Sequence, residues 1–173
     1  ISEDHWYRDP NEGTRVCGNL GHWLDLAIHM LYWSSDRVSF VDIDISYSNK
    51  DTPSDNFCTN LTTPRGDLTS LTFSSRSEPF EGVNETINFQ QGSMIAKIND
   101  HRHIQIWDNE KYISKRYWQK NVGHKDAILQ PFDNENTRDW IEILDSTKIM
   151  LLVSEMVKNL ETSKRYYLEK NYS

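Results

Sequence analysis

Val16-Cys17-Gly18-Asn19-Leu20-Gly21-His22-Trp23-Leu24-Asp25-Leu26-Ala27-Ile28-His29 is the stretch that decides the fold. At 3.6 residues per turn, Val16, Leu20, Trp23, Leu24, Ala27, Ile28 and Leu31 share one face, the spacing of an amphipathic helix within the apolar run Val16 to Trp33. His22, Asp25 and His29 fall on the opposite face, and Gly18 joins them one turn before His22. Two glycines near a helix start each cost about 1 kcal/mol relative to Ala. Either the helix begins late, or another part of the molecule approaches its backbone closely there. Spacing alone does not separate a solvated side from a functional one.

Upstream, His5-Trp6-Tyr7-Arg8-Asp9-Pro10-Asn11-Glu12-Gly13 reads as a loop leading into the helix. Trp6 and Tyr7 beside Arg8 fit either packing under a solvated guanidinium or the wall of a polar-ligand pocket. Downstream, Val41, Ile43, Ile45 and Tyr47 alternate with polar residues, as in a half-buried strand. Segments 57–63 and 68–75 flank Pro64-Arg65-Gly66-Asp67, a hairpin signature. Further alternating segments at 86–90, 94–98, 104–106 and 112–118 are separated by short turns, so neighbours pair antiparallel. After an irregular segment 121–136, Asp139-Trp140-Ile141-Glu142 resembles a capping box. Ile149, Leu152, Val153, Met156, Val157 and Leu160 then repeat at helical spacing, as a core stripe, and Tyr166-Tyr167-Leu168 closes with a short strand. Two apolar helix stripes need a sheet face to bury against. The expected class is α+β: a two-layer domain with an open, mostly antiparallel sheet of about six strands and helices packed on one face. The open face, carrying alternating Ile, Phe and Thr, suits self-association.

The totals narrow the function. The chain has 173 residues, 36% hydrophobic and 12% aromatic, enough for one buried core, and its formal charge of −7 argues against a nucleic-acid footprint. Lys111-Tyr112-Ile113-Ser114-Lys115-Arg116-Tyr117-Trp118 mixes basic and aromatic residues, but its alternation reads as a strand. No apolar run reaches the roughly 18 residues of a spanning helix, so no membrane partner is expected. Nothing at the start reads as a secretory leader, and the chain opens on Ile1 and not Met, as a piece of a longer chain would. Cys17 and Cys58 are too few for a disulfide framework. A reduced, cytoplasmic setting is expected. GxGxxG, P-loop and GxSxG patterns are absent, so the chain itself carries no dinucleotide-binding turn. His101-Arg102-His103 places two histidines on one side of a strand, beside a turn and without a third ligand at recognisable spacing; a solvated hairpin tip is the expected reading. His22, Asp25 and His29 would converge from one helix face, yet no outside ligand is identifiable, and no metal is assigned.

Trp6-Tyr7-Arg8-Asp9-Pro10, Gly13 and Gly18-Asn19-Leu20-Gly21-His22-Trp23-Leu24-Asp25-Leu26 resemble the C-terminal domain of the glucose–fructose oxidoreductase and inositol dehydrogenase family (Gfo/Idh/MocA). The element order is similar too, including Glu81-Gly82-Val83-Asn84 before a strand and Gly92 after it. The resemblance implies that residues 1–173 form a single C-terminal substrate-binding and oligomerisation domain. An N-terminal Rossmann domain, absent from this chain, would bind NAD or NADP and carry the catalytic lysine motif. It also implies a sugar, polyol or amino-sugar substrate and a homo-oligomer formed through the open sheet. His22 matches the family's proton-exchanging histidine, a residue type whose ordinary pKa of about 6.5 suits that step. Asp25 matches the acidic position one turn on, to orient the imidazole or cap neighbouring backbone. Many members carry Asp where this chain has Gly18, with Asn19 beside it; Asn hydrogen-bonds a hydroxyl but is no base. Tyr7 and Arg8 fall where the family's leading loop approaches substrate, together with Gly18, and His124 lies in a segment resembling a late loop. The alternative is a non-catalytic binding or assembly domain that has lost the dehydrogenase site.

Overall fold

The apolar stripe at the head of the chain folds as a helix, and the reason lies in what it covers. The structure is a computed structural model that describes Asp9 and residues 14–33, 37–75, 84–119 and 138–168. The chain divides into two compact units, Ile1–Ser77 with Arg138–Ser173, and Glu78–Thr137. In the first, a π-helical turn, Val16–Leu20, runs directly into helix α1, Gly21–Tyr32. Strands β1 (Phe40–Tyr47), β2 (Phe57–Thr62) and β3 (Leu68–Phe73) follow, then helix α2 (Trp140–Asn159) and strand β8 (Ser163–Tyr167). The sheet order is β3-β2-β1-β8, antiparallel throughout.

The period-two pattern determines which side of this sheet the helices cover. Val41, Ile43 and Ile45 of β1 and Phe57 and Leu61 of β2 are buried, and they share one core with Val16, Leu20, Leu24 and Ile28 and with Ile149, Val153 and Met156 of α2. Asp42, Asp44 and Ser46, pointing the other way, leave a polar outer face. There Arg165 Nε and Nη2 donate to Asp42 Oδ1 and Oδ2 at 2.6 and 2.8 Å, and the guanidinium lies 4.0 Å from the Phe40 ring centroid. The β2–β3 hairpin turns at Thr63-Pro64-Arg65-Gly66, closed by Gly66 N donating to Thr63 O at 3.0 Å. Gly66 has φ +89°, a left-handed conformation that suits a residue without Cβ. Arg65 from this turn donates to Leu31 O at 2.8 Å, tying the hairpin to the C-terminal end of α1. Asp139 caps α2 by accepting from Ile141 N at 3.0 Å, an ordinary N-cap bond and not the reciprocal pair of a capping box, because Glu142 Oε1 is bonded to Arg138 and His29.

The second unit is a meander. Strands β4 (Thr86–Gln91), β5 (Met94–Asn99), β6 (His103–Asp108) and β7 (Lys111–Arg116) pair in sequence order, all antiparallel. Its turns carry left-handed residues: Gly92 after β4, Asp100 and His101 after β5, Asn109 after β6. His101 Nε2 lies 2.8 Å from Glu85 Oε2, whereas His103 Nε2 lies 2.9 Å from Ser114 Oγ. The two histidines of the hairpin tip therefore serve separate partners. The α+β class and the open antiparallel sheets agree with the sequence. Among the described residues the strands number eight instead of about six, and they form two four-stranded sheets because there β4 to β7 pair with one another and not with β1, β2, β3 or β8.

One feature of the core is charged. Asp145, in the second turn of α2, is completely buried. Arg37 grips it through two parallel bonds, Nε to Oδ2 and Nη2 to Oδ1, both at 2.5 Å, and Tyr32 OH donates to Oδ2 at 2.9 Å. Burial, with the neighbouring Asp145 carboxylate, pushes the Tyr32 phenol well above its ordinary value. Removing one member of a buried pair leaves the other charge stranded. Asp145→Ala is accordingly expected to lower the urea unfolding free energy by about 3 kcal/mol or more; a loss below about 1 kcal/mol, the surface range, would show that Arg37 finds water instead.

Candidate functional site

The π turn is where the local sequence departs from an ordinary helix. Gly21 N donates to Val16 O, an i to i−5 bond, so five residues occupy one wide turn. Helical structure therefore does not begin late, and at Gly21 the backbone is closely approached. A Cβ on Gly21 would lie 2.6 Å from Met150 Sδ of α2. Gly21 thus lets the two helices meet at this point.

Beside that meeting point is an open cleft of about 260 Å³, lined by Cys17, Gly21, His22 and Asp25 from the head of the chain and by Ser146, Thr147 and Met150 from α2. His22 is exposed, its ring centroid 4.9 Å from that of Trp23. Thr147 Oγ1 donates to Ile143 O at 2.8 Å, which leaves its oxygen able to accept. Cys17 and Cys58 are both free thiols.

Two members of the polar stripe of α1, Asp25 and His29, are bonded across to Arg138 and α2, whereas His22 stays exposed. Arg138 Nη1 donates to Asp25 Oδ2 at 2.5 Å, and Ser146 Oγ donates to Asp25 Oδ1 at 2.7 Å. Arg138 Nε donates to Glu142 Oε1 at 2.7 Å, and its Nη2 forms a second bond to the same oxygen. His29 Nδ1 lies 2.8 Å from Glu142 Oε1. Asp25, Arg138, Glu142 and His29 thus form a continuous ladder between the helices. Burial alone would raise the Asp25 pKa. The hydrogen bonds from Arg138 and Ser146 and the Arg138 charge more than offset it, holding the carboxyl below its ordinary value.

Of the sequence-predicted residues, His22 and Asp25 come together in the cleft. Gly18, exposed, and Asn19, half-buried, sit on the π turn and do not line it. Asn19 Oδ1 is closed off from solvent with no hydrogen-bond partner among the described residues. Tyr7, Arg8 and His124 lie outside the described residues. Among the described residues, no three His, Cys, Asp or Glu side chains converge as a metal-binding set. Sequence reading missed Cys17, Ser146, Thr147 and Met150. The polar run Asp145-Ser146-Thr147-Lys148, just ahead of the apolar stripe that begins at Ile149, was the available signal for the α2 contribution.

Asp25 supplies a sign-defined pH dependence. A carboxyl whose folded-state pKa is depressed contributes stability that is complete above its unfolded value, about 3.9, and lost as pH falls through the folded value. The stability advantage of the wild type over Asp25→Asn should therefore be constant at neutral pH and shrink below about pH 4, measured by denaturation at a series of pH values. An advantage that grew on acidification would contradict the ladder.

No family model matches the chain, and no curated protein matches it. Among described residues, no helix is long and apolar enough to cross a membrane. The fold is similar to a solved structure described as a "putative oxidoreductase from Thermotoga maritima", with a TM-score of 0.51 and 12% identity. That match covers 82% of this chain and 42% of the other, so this chain spans under half the length of the structure it matches. At that identity the likeness is one of fold.

Proposed function

We propose that this chain is the substrate-binding and oligomerisation domain of an NAD(P)-dependent oxidoreductase of the glucose–fructose oxidoreductase and inositol dehydrogenase type, acting on a sugar, polyol or amino-sugar derivative. The observation that carries this reading is His22 in an open cleft bordered by the hydroxyls of Ser146 and Thr147. The fold similarity to a longer structure described as an oxidoreductase supports it. Among described residues, no Gly-rich turn joins a strand to a helix, so this chain's own residues do not fit a dinucleotide cradle. A Rossmann domain elsewhere in the parent chain would hold the nicotinamide, which supplies hydride acceptance when bound. What this chain contributes is a proton site and hydroxyl contacts. His22 exchanges a proton with the substrate hydroxyl, Thr147 Oγ1 accepts from a neighbouring hydroxyl, and Asp25 keeps α1 seated on α2. The free thiols Cys17 and Cys58 fit a reducing, cytoplasmic setting.

Self-association belongs to the same reading. One face of the second sheet carries Ile87, Phe89, Met94, Ile98, Ile106 and Ile113, and Ile113 is 46% exposed. Such a face suits a second copy.

A second reading, a binding or assembly domain without catalysis, is favoured by one observation: both oxygens of Asp25 are committed to α2. Kinetics separate the two. In the full-length parent chain, His22→Ala should lower turnover of a polyol or sugar with NAD or NADP on the order of 100-fold or more, with the fold unchanged by circular dichroism. Unchanged turnover, or no nicotinamide reduction with any substrate of this class, would favour the non-catalytic reading. Sedimentation should show a dimer or larger assembly, and Ile113→Lys should shift it towards monomer; a wild type monomeric at all concentrations would remove the assembly role.

A further inference from the structure

The opposite face of the second sheet has a different chemistry, which the cleft does not use. Its register places Ile95, Trp107 and Tyr112 in one row across β5, β6 and β7. The Trp107 and Tyr112 ring centroids are 5.3 Å apart and their planes are inclined by 35°, so the two rings form a continuous shallow floor. Tyr112 is held there by Gln105 Nε2, which donates to its hydroxyl at 2.9 Å. Trp107 and Tyr112 are 38% and 55% exposed. Large aromatic surface left open on a strand face is costly unless something covers it.

The rows beyond this floor are polar in a specific way. Two residues along the strands, about 7 Å away, lies the row containing Lys97 and Gln105. A further step reaches His103 and Arg116, with His103 bonded to Ser114. None of the positions that β4 to β7 present on this face is Asp or Glu, in a chain that has 26 of them and a net charge of −7. An aromatic floor, amides and hydroxyls in the adjoining rows, and two cations on a face without a carboxylate form one platform. Aromatic faces pack against the apolar C–H face of a pyranose, the amides bond its hydroxyls, and the cations pair with an acidic group. Two cations are too few for the phosphate-tracking groove that single-stranded nucleic acid requires.

We propose that this face of the second sheet binds an acidic oligosaccharide, with one sugar ring on Trp107 and Tyr112 and a carboxylate of the next within reach of Lys97 or Arg116. Its residues belong to the second unit, and the proposal does not depend on the chemistry of the His22 cleft.

The test is amide chemical-shift mapping on the ¹⁵N-labelled whole chain with tetragalacturonate, maltotetraose and a short oligothymidylate as probes. Tetragalacturonate should shift Lys97, Gln105, Trp107 and Tyr112, and maltotetraose should bind several-fold more weakly. Trp107→Ala should weaken tetragalacturonate binding on the order of tenfold. Lys97→Gln should weaken it a few-fold at low salt and much less at high salt. Tighter binding of the oligothymidylate would overturn the proposal in favour of a nucleic-acid platform. Equal binding of the neutral sugar, shifts centred on His22, or no binding by about 5 mM would overturn it outright. If Trp107→Ala does not fold, the wild-type shift map alone decides.

Discussion

The ionic ladder between α1 and α2 is the constraint on which the first unit depends. Both helices bury apolar stripes against one sheet, and that alone would leave them free to slide along each other. Asp25, Arg138, Glu142 and His29 remove that freedom, because each charged group is bonded to a neighbour on the facing helix or one turn away. A partly buried charge is tolerated only when its bonds are complete, so a one-turn slip would strand several groups at once. Arg37 and Tyr32 secure the neighbouring Asp145 in the same manner, deeper in the core.

This register also builds the cleft. With Asp25 fixed to Ser146 and Gly21 against Met150, His22 must lie beside Thr147. The π turn adds to the effect by rotating the residues before Gly21, which brings Cys17 to the cleft wall and leaves Gly18 and Asn19 off it. The side chains that give the cleft its polarity are therefore the ones that hold the helices together. Asp25 is held as an anion between the helices by Arg138 and Ser146.

Much of this fold was legible because it rests on periodicity. The stripe from Val16 to Leu31, the alternation in β1, the Pro64–Gly66 turn and the Asp139 cap each follow from local chemistry, and each occurs where that chemistry places it. Tertiary pairing was not legible. The division of the eight described strands into two sheets depends on which edges meet, and alternation is silent on that. His22, Asp25 and His29 were recognisable as a stripe, but their fates diverged because Arg138 and Glu142 reach Asp25 and His29, while His22 stays exposed. That partner set comes from residues more than a hundred positions away, and no local pattern encodes it. The two faces of the second sheet were visible as alternation, yet only the register aligned Trp107 with Tyr112 and Lys97 with Gln105.

The measurement that tests the account most directly is a double-mutant cycle between Asp25 and Arg138, using Asp25→Asn and Arg138→Gln, with the His22 side-chain resonances recorded for each protein. The account predicts a coupling of about 1 kcal/mol between the two sites in unfolding free energy, and a displaced His22 environment in both single variants. Additive effects with His22 resonances unchanged would mean that the ladder neither holds the helices in register nor positions the cleft.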